Sequence, residues 1–566
     1  MKKDANAHAA YRWIYNRARP ELFSCFLLIL ANILLACMGV AFALASKGVI
    51  DGATSGGLSL LWERSLIFLG IIAAQGVLQA YCRHRQAVIQ GRLEIRFKSA
   101  FLESVLEKDY SEMMHYHSGD LLNRATSDVQ AITTGLTSLL PTFSSLVTKI
   151  ISAFGVLCVL DWRFSLIFAV AGTAMFVVTW FFRQRLKRLH KRVQESDGLV
   201  RSFLQEIFES FLVVRTFGVE KAMVQQGIDL QEDNYREKIK KNTISVGANT
   251  GIQFIFNLGY LYALIWSCQG LISGAVSFGM LTAVLQLVNQ VQAPFVGLSG
   301  MLPQYYGALA SAERMMEIEG MADEHRINGA PCEVEGLYAS LEGIVLREVY
   351  FSYNRDLIFD GASVTLKKGQ CIVIGGISGI GKSTLLKLLM GVFIPDSGEV
   401  GLLKKDGELV ALDRYTRPLF AYVPQGNYLL SGTIRENIAF IRPEASDYAV
   451  AEAARLSCAL DFINALPLGF ETHIGEKGLG LSEGQVQRLA IARAILGGAP
   501  IMLLDEVTSA LDGETERQVL KNIQSMMDRT CIIVTHKTAA LSVCDAVVTI
   551  EGGRIEMKEI DNGKDG

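Results

Sequence analysis

Long uncharged stretches separated by basic, helix-patterned ones fill the first half of the chain; short apolar runs alternating with amphipathic segments fill the rest. Between Leu22 and Ser46 no residue is charged. At ~1.5 Å per residue, a helix over that stretch covers a ~30 Å hydrocarbon core. A cleaved secretory signal would also suit Met1-Lys2-Lys3 and Ala43-Leu44-Ala45, but its apolar segment runs to only ~7–15 residues, so the transmembrane reading stands. Comparable stretches follow at 65–82, 136–160 and 164–182. From Asn242 to Ala312 there is no Asp, Glu, Lys, Arg or His, too long a run for one span. Ser273-Gly274 and Ser277-Phe278-Gly279 supply a turn that divides it into spans at 244–272 and 277–303. The pattern predicts six membrane helices.

Lys and Arg collect on the cytoplasmic side of membrane proteins. Arg83, Arg85, Arg92, Arg96 and Lys98 follow the second span, and Arg183, Arg185, Lys187, Arg188, Lys191 and Arg192 follow the fourth, whereas the alternate connections are poor in charge. Both termini are therefore expected in the cytoplasm, with helices continuing past the membrane through 83–135 and 183–241. Within the spans, Gln286, Asn289 and Gln290 of the sixth lie at helical spacing, with Gln253 and Asn257 in the fifth. They could line an uncharged polar pathway or hydrogen-bond helix to helix. Lys149, the one charge of the third span, could select an anionic group of a cargo, snorkel or pair. Pro294 is expected to kink the sixth helix. The polar segment after Glu313-Arg314, interrupted by Gly329-Ala330-Pro331, reads as a linker.

From Ile344 onward the alternation of short β-type runs with helical segments predicts an α/β domain. A buried strand, Cys371-Ile372-Val373-Ile374-Gly375, leads into Gly376-Ile377-Ser378-Gly379-Ile380-Gly381-Lys382-Ser383-Thr384, which fits G-x-x-x-x-G-K-[ST] in a strand–loop–helix setting. In such a loop the glycines let backbone N–H groups wrap a phosphate, Lys382 reaches the β- and γ-phosphates, and the Ser383 hydroxyl ligates Mg²⁺. A second strand, Ile501-Met502-Leu503-Leu504, ends in Asp505-Glu506. Alone, those acids would read as a solvated strand end. After a phosphate loop, Asp505 is placed to hold Mg²⁺ through water and Glu506 to orient or deprotonate an attacking water.

Around these motifs stand others in a fixed order. Leu481-Ser482-Glu483-Gly484-Gln485 is similar to the L-S-G-G-Q signature of the ATP-binding-cassette (ABC) family. With it come Tyr353 in Phe351-Ser352-Tyr353, Gln425 in Val423-Pro424-Gln425, Gly475-Glu476-Lys477-Gly478, Ser509-Ala510-Leu511-Asp512 and His536 in Val534-Thr535-His536. In the membrane half, 118–129, 209–217 and 310–314 resemble the first and second coupling regions and the exit from the sixth helix. The chain thus resembles an exporter-type ABC half-transporter over nearly its whole length.

The resemblance implies an all-α six-helix transmembrane domain over 1–320, a linker over 321–339, an α/β P-loop NTPase domain over 340–560 and a polar tail over 561–566. It implies ATP and Mg²⁺, with Tyr353 stacking on adenine, Gly376, Ser378, Gly379, Gly381, Lys382, Ser383 and Thr384 around the phosphates, and Ser383, Gln425 and Asp505 at the metal. It makes Glu506 and His536 catalytic and Asp512 part of the D-loop. Ser482, Glu483, Gly484 and Gln485 would form the signature presented to a second half-transporter, with Ser482 and Gly484 facing the ATP it holds, in a homodimer before a heterodimer. Glu483 departs from the family's usual Gly and is expected to point away from the phosphates.

The composition agrees with such a mixture: 50% hydrophobic and 20% charged residues with a net charge of -3 suit neither one soluble domain nor a bare helix bundle. That near-neutral balance gives no basis for nucleic-acid binding. The 10 cysteines are scattered, without a C-x-x-C pair. With about twenty residues before the first span, no leader-peptidase domain is expected there. The implied function is ATP-driven export of a lipid, amphipathic small molecule or peptide in a bacterial inner membrane. A siderophore-type importer on the same fold and an ATP-gated or regulatory ATPase stay open. A soluble chromosome-type ATPase is excluded by the spans.

Overall fold

The computed structural model describes residues 2–560 except 56, 161–162, 164–184, 186–187, 190–191, 325–326, 328–331, 354–355, 378, 427–428, 476–477, 479, 527–528, 538–539 and 541–543. The chain packs as two units, Met1–Ser104 with Ser118–Gly320, and Val105–His117 with Met321–Gly566.

The first unit is helical. Among the described residues four helices, His8–Thr54, Leu58–Glu107, Ser118–Val159 and Glu220–Ile272, are long and apolar enough to cross a membrane. The span expected at 164–182 lies outside the described residues. The one expected at 277–303 falls on the helix Phe278–Glu319, which runs through Pro294 and Pro303 without ending. Between it and its predecessor the chain turns at 273–277: Gly274 takes φ 71, and Ser277 Oγ caps the new helix by accepting the Met280 N–H at 3.1 Å. The 50-residue helix Leu58–Glu107 is ~75 Å long, far more than a ~30 Å membrane requires.

Small and branched residues, among them Ala43, Ala153, Ala263, Val284 and Val288, form the core of this bundle. At one end of Phe278–Glu319, Asp51 Oδ1 accepts the Gly279 N–H at 3.0 Å. At the other end Asp128 is buried and takes both Arg314 Nε (2.9 Å) and Nη2 (2.5 Å), with Ser311 Oγ at 2.9 Å. Asp128 closes a π-helical turn, Arg124–Asp128, whose Arg124 donates to Asp120, to Glu317 and to the Arg314 carbonyl. The segment 118–129, which resembles a coupling region, is thus clamped inside the helical unit.

The second unit holds two principal sheets and a short antiparallel pair, Gly432–Thr433 (β7) with His473–Ile474 (β8). One is antiparallel, order β2-β1-β4-β5, from Leu341–Tyr353 (β1), Asp356–Lys367 (β2), Ser397–Lys404 (β4) and Leu409–Ala411 (β5). The other has order β12-β11-β3-β10-β9-β6, from Cys371–Gly375 (β3), Phe420–Val423 (β6), Ile501–Asp505 (β9), Thr530–Val534 (β10), Ala546–Glu551 (β11) and Arg554–Glu559 (β12). All its pairings are parallel except β11 with β12. Successive residues of β3 enter opposite cores, Val373 with Leu504 and Ile533 on one face, Ile372 and Ile374 with Leu503 and Ile532 on the other.

The expected 321–339 linker is in part anchored. Lys108 Nζ reaches Asp323 Oδ1 at 2.6 Å, Glu324 pairs with Arg417, and a helix over Val334–Ser340 buries Tyr338, whose hydroxyl lies 3.0 Å from Thr530 Oγ1. The short helix Tyr110–Met113 sets the Tyr110 ring 5.9 Å from that of Phe393. These contacts place 105–117, which the sequence did not single out, with the second unit.

Candidate functional site

Parallel strands point their C-terminal ends the same way, so the loops leaving β3, β6, β9 and β10 gather at one sheet edge. β3 delivers the glycine-rich loop. Gly376, Gly379 and Gly381 adopt φ 140, 80 and 108, backbone that side chains resist, and a Cβ on Gly381 would meet Ile358 Cγ2 at 2.5 Å. The helix Lys382–Leu389 starts there with N–H groups facing outward, a setting for an anion. Ser378 lies outside the described residues.

Lys382 is buried, and its ammonium donates to the carbonyls of Gly376 (2.8 Å) and Ile377 (3.1 Å) and to His536 Nε2 (2.9 Å). From β9, Asp505 is buried between two hydroxyls, Ser383 Oγ at 3.1 Å and Tyr422 Oη at 3.2 Å. Burial pushes its carboxyl pKa up against the effect of those hydrogen bonds. Glu506 turns out of the strand at φ 53, its N–H held by the Val534 carbonyl at 3.0 Å. Its Oε2 accepts Gln425 Nε2 at 2.8 Å and its Oε1 lies 3.3 Å from His536 Nε2. Lysine, histidine, glutamate and glutamine from four loops thus lie side by side.

The donor set fits a hard divalent cation. A hydroxyl, a buried carboxylate whose charge a cation would offset and the Gln425 amide are oxygen ligands of the kind Mg²⁺ takes.

Other motif residues stand nearby or apart. Tyr353 sets its hydroxyl 3.1 Å from Thr384 Oγ1 and its ring edge-on to Phe351 and Phe393, beside the phosphate-loop helix. Ser482 and Gln485 close a capping box at the start of the helix Glu483–Gly497. Gly484 lies so close to the next loop that a Cβ would meet the Ala510 carbonyl at 2.9 Å. Glu483 is exposed in the first turn. Among the described residues no hydrogen bond or ion pair joins 482–485 to the phosphate loop. Asp512 caps the helix Gly513–Gln524, and the Thr515 N–H holds its carboxyl below the usual carboxylate range.

In the helical unit, Gln290 Nε2 donates to the Gly39 carbonyl at 2.8 Å and Gln286 Nε2 lies 3.5 Å from Ser46 Oγ, so both amides serve helix-to-helix bonding. Asn289 is exposed and Lys149 half-buried on its own helix. Sequence reasoning missed Tyr422, Gln487 and Lys537, which belong to no quoted motif; Tyr422 lies three residues before Gln425 on a strand beside β9.

Residues 25–295 match the family model described as ABC transporter transmembrane region, and 359–509 the one described as ABC transporter. The chain is 28% identical over 561 residues, 98% of its length and 95% of the other's, to an ATP-dependent lipid A-core flippase of Chromohalobacter salexigens. It is 29% identical over 493 residues, 86% of its length and 76% of the other's, to a fatty acid ABC transporter ATP-binding/permease protein of Mycobacterium bovis. A solved bacterial Atm1-family ABC exporter with ATP bound shares the fold, with a TM-score of 0.79 at 24% identity over 96% of this chain and 95% of that one.

Proposed function

The chain belongs to the ABC transporter family, and from that premise we propose that it is a homodimeric exporter of an amphipathic lipid in a bacterial inner membrane, with both termini in the cytoplasm. It is an ATP-hydrolysing transporter, a membrane region joined to an ATPase domain. One observation carries the reading of its site: Lys382, Ser383, Asp505, Glu506 and His536 converge from three loops on one sheet edge. The flippase and fatty-acid relatives support a lipid cargo. Two features support a second copy. Ser482 and Glu483 are exposed and, among the described residues, unconnected to the phosphate loop of their own chain, and Phe208, Phe211, Leu212 and Phe217 present apolar surface that a partner would cover.

In this reading Lys382 exchanges the Gly376 and Ile377 carbonyls for the β- and γ-phosphates of ATP. Mg²⁺, held by Ser383, Asp505 and Gln425, would supply charge neutralisation at the phosphates. Glu506, oriented by Gln425, takes the proton of the attacking water, and His536 turns from Lys382 toward the γ-phosphate. Two ATP molecules between two chains favour the closed dimer, and cleavage removes the contacts that hold it, so the helical units alternate their opening.

The test is lipid movement in liposomes containing the purified protein, read as ATP-dependent transfer of a fluorescent lipid between leaflets. Glu506→Gln should keep ATP binding and lose turnover by roughly 10²-fold or more, the share of a general base. Turnover near the parental rate in that variant would refute the assignment of the site. Transport of a peptide or iron chelate with no lipid transfer would refute the cargo.

A further inference from the structure

Lys537 follows His536, yet its side chain serves another loop. Its ammonium donates to the carbonyls of Thr508 at 2.8 Å and Leu511 at 2.7 Å, bracketing a turn that also closes through Leu511 N–H to Thr508 O at 3.1 Å. The same nitrogen lies 3.7 Å from Oε2 of Glu516, whose side chain is 1% exposed. Oε1 of Glu516 accepts the Thr508 hydroxyl at 2.8 Å. Two carbonyls therefore accept from one lysine, with a buried carboxylate at ion-pair distance.

The loop has a second anchor. Gln487, on the helix that begins next to Ser482, donates to Ser509 Oγ at 3.0 Å and accepts the Ala510 N–H at 3.2 Å. Residues 508–511 are thus tied on one side to the neighbour of His536 and on the other to the helix carrying Ser482. A carboxylate as deeply buried as Glu516 does not swing into water to release the lysine, so the first tie is stiff.

We propose that Lys537 is a positioning residue for ATP hydrolysis: it couples displacement of His536 to the 508–511 loop and, through Gln487, to the helix that begins next to Ser482. This rests on the ATP-hydrolysing dimer read above. Among the described residues the tie touches neither the phosphate loop nor Tyr353, so its loss slows turnover without weakening nucleotide binding.

The experiment uses the full chain in liposomes and compares Lys537→Met, Lys537→Arg and the double variant Lys537→Met/Glu516→Gln, in which no carboxylate is left stranded. Thermal midpoint, binding of a non-hydrolysable ATP analogue, and kcat are measured for each, with Glu506→Gln as control. The double variant should melt near the parent and bind the analogue as the parent does, with kcat reduced about tenfold, within the usual size of a coupling effect. Lys537→Arg, which keeps a multidentate cation, should recover most of kcat. A folded double variant with parental kcat overturns the proposal, as does one whose analogue binding falls in step with kcat. An unfolded double variant beside a Lys537→Arg protein that folds but turns over no faster than Lys537→Met also overturns it. If Glu506→Gln hydrolyses ATP at the parental rate, the reading of the site fails instead.

Discussion

Removing one partner of the Asp128–Arg314 pair should cost very different amounts depending on which is removed. The side chain of Asp128 is 4% exposed and that of Arg314 47%. With Arg314→Ala the carboxylate stays buried and keeps, among the described contacts, only the Ser311 hydroxyl. A buried charge left without its partner costs ~3–5 kcal/mol. With Asp128→Asn the half-exposed guanidinium rehydrates; the amide oxygen keeps one of the two hydrogen bonds without its charge, and the amide nitrogen, a donor, gives up the other, ~1–2 kcal/mol. At ~1.4 kcal/mol per factor of ten, opening of 124–134 should become roughly 10²- to 10⁴-fold more frequent in Arg314→Ala and about 5- to 30-fold in Asp128→Asn. Hydrogen exchange followed by mass spectrometry reads this directly on peptides over 124–134, with peptides over 341–353 of the other unit as internal reference. Equal effects, or a larger one for Asp128→Asn, would refute the claim that burial of the acid sets the energetics of the clamp.

Two further outcomes follow from close contacts and a cap. Gly279→Ala places a Cβ against the Lys47 carbonyl and 2.6 Å from Asp51 Oδ1, so it should destabilise by ~1–3 kcal/mol and lower the thermal midpoint in detergent, while Gly259→Ala, with no neighbour within 4 Å among the described residues, should not; equal midpoints count against the packing described. For Asp512, whose pKa is depressed below the usual 3.8 by the Thr515 N–H, the cap is intact above that value and lost as pH falls through the lower folded one. Exchange at 513–517 should therefore rise on acidification in the parent and stay flat in Asp512→Asn, relative to a reference peptide; parallel curves contradict it.

What the sequence revealed and what it hid divide along the chain. The phosphate loop, the Asp505-Glu506 strand end and the break at 273–277 depend on contiguous residues, so spacing and composition expose them. The Asp128–Arg314 clamp joins residues 186 apart, and the anchoring of 105–117 rests on Lys108 with Asp323 and Tyr110 with Phe393. Neither leaves a periodic trace. Gln286 and Gln290 illustrate a middle case: their helical spacing was visible, but only the structure shows their amide nitrogens turned to Ser46 and Gly39.

Backbone strain adds a layer no motif carries. Glu506 stands at φ 53, a left-handed conformation that costs a residue with a Cβ ~1–2 kcal/mol. Positive φ alone does not identify a working residue, because Glu348 and Cys458 share it at φ 48 and 56. Glu348 lies where the register of β1 shifts against β2 and β4, and Cys458 beyond the end of the helix Asp447–Leu456, places where a chain bends for structural reasons. Glu506 differs in what the bend achieves: it lifts the carboxylate out of β9 and sets one oxygen on Gln425 and the other beside His536. The Val534 carbonyl, at the end of β10, holds the amide of that strained residue, so the strand leading to His536 also fixes the acid it meets. A flat continuation of β9 would alternate the Glu506 side chain to the opposite face from Asp505. The strain is thus what allows two consecutive acids to serve one site.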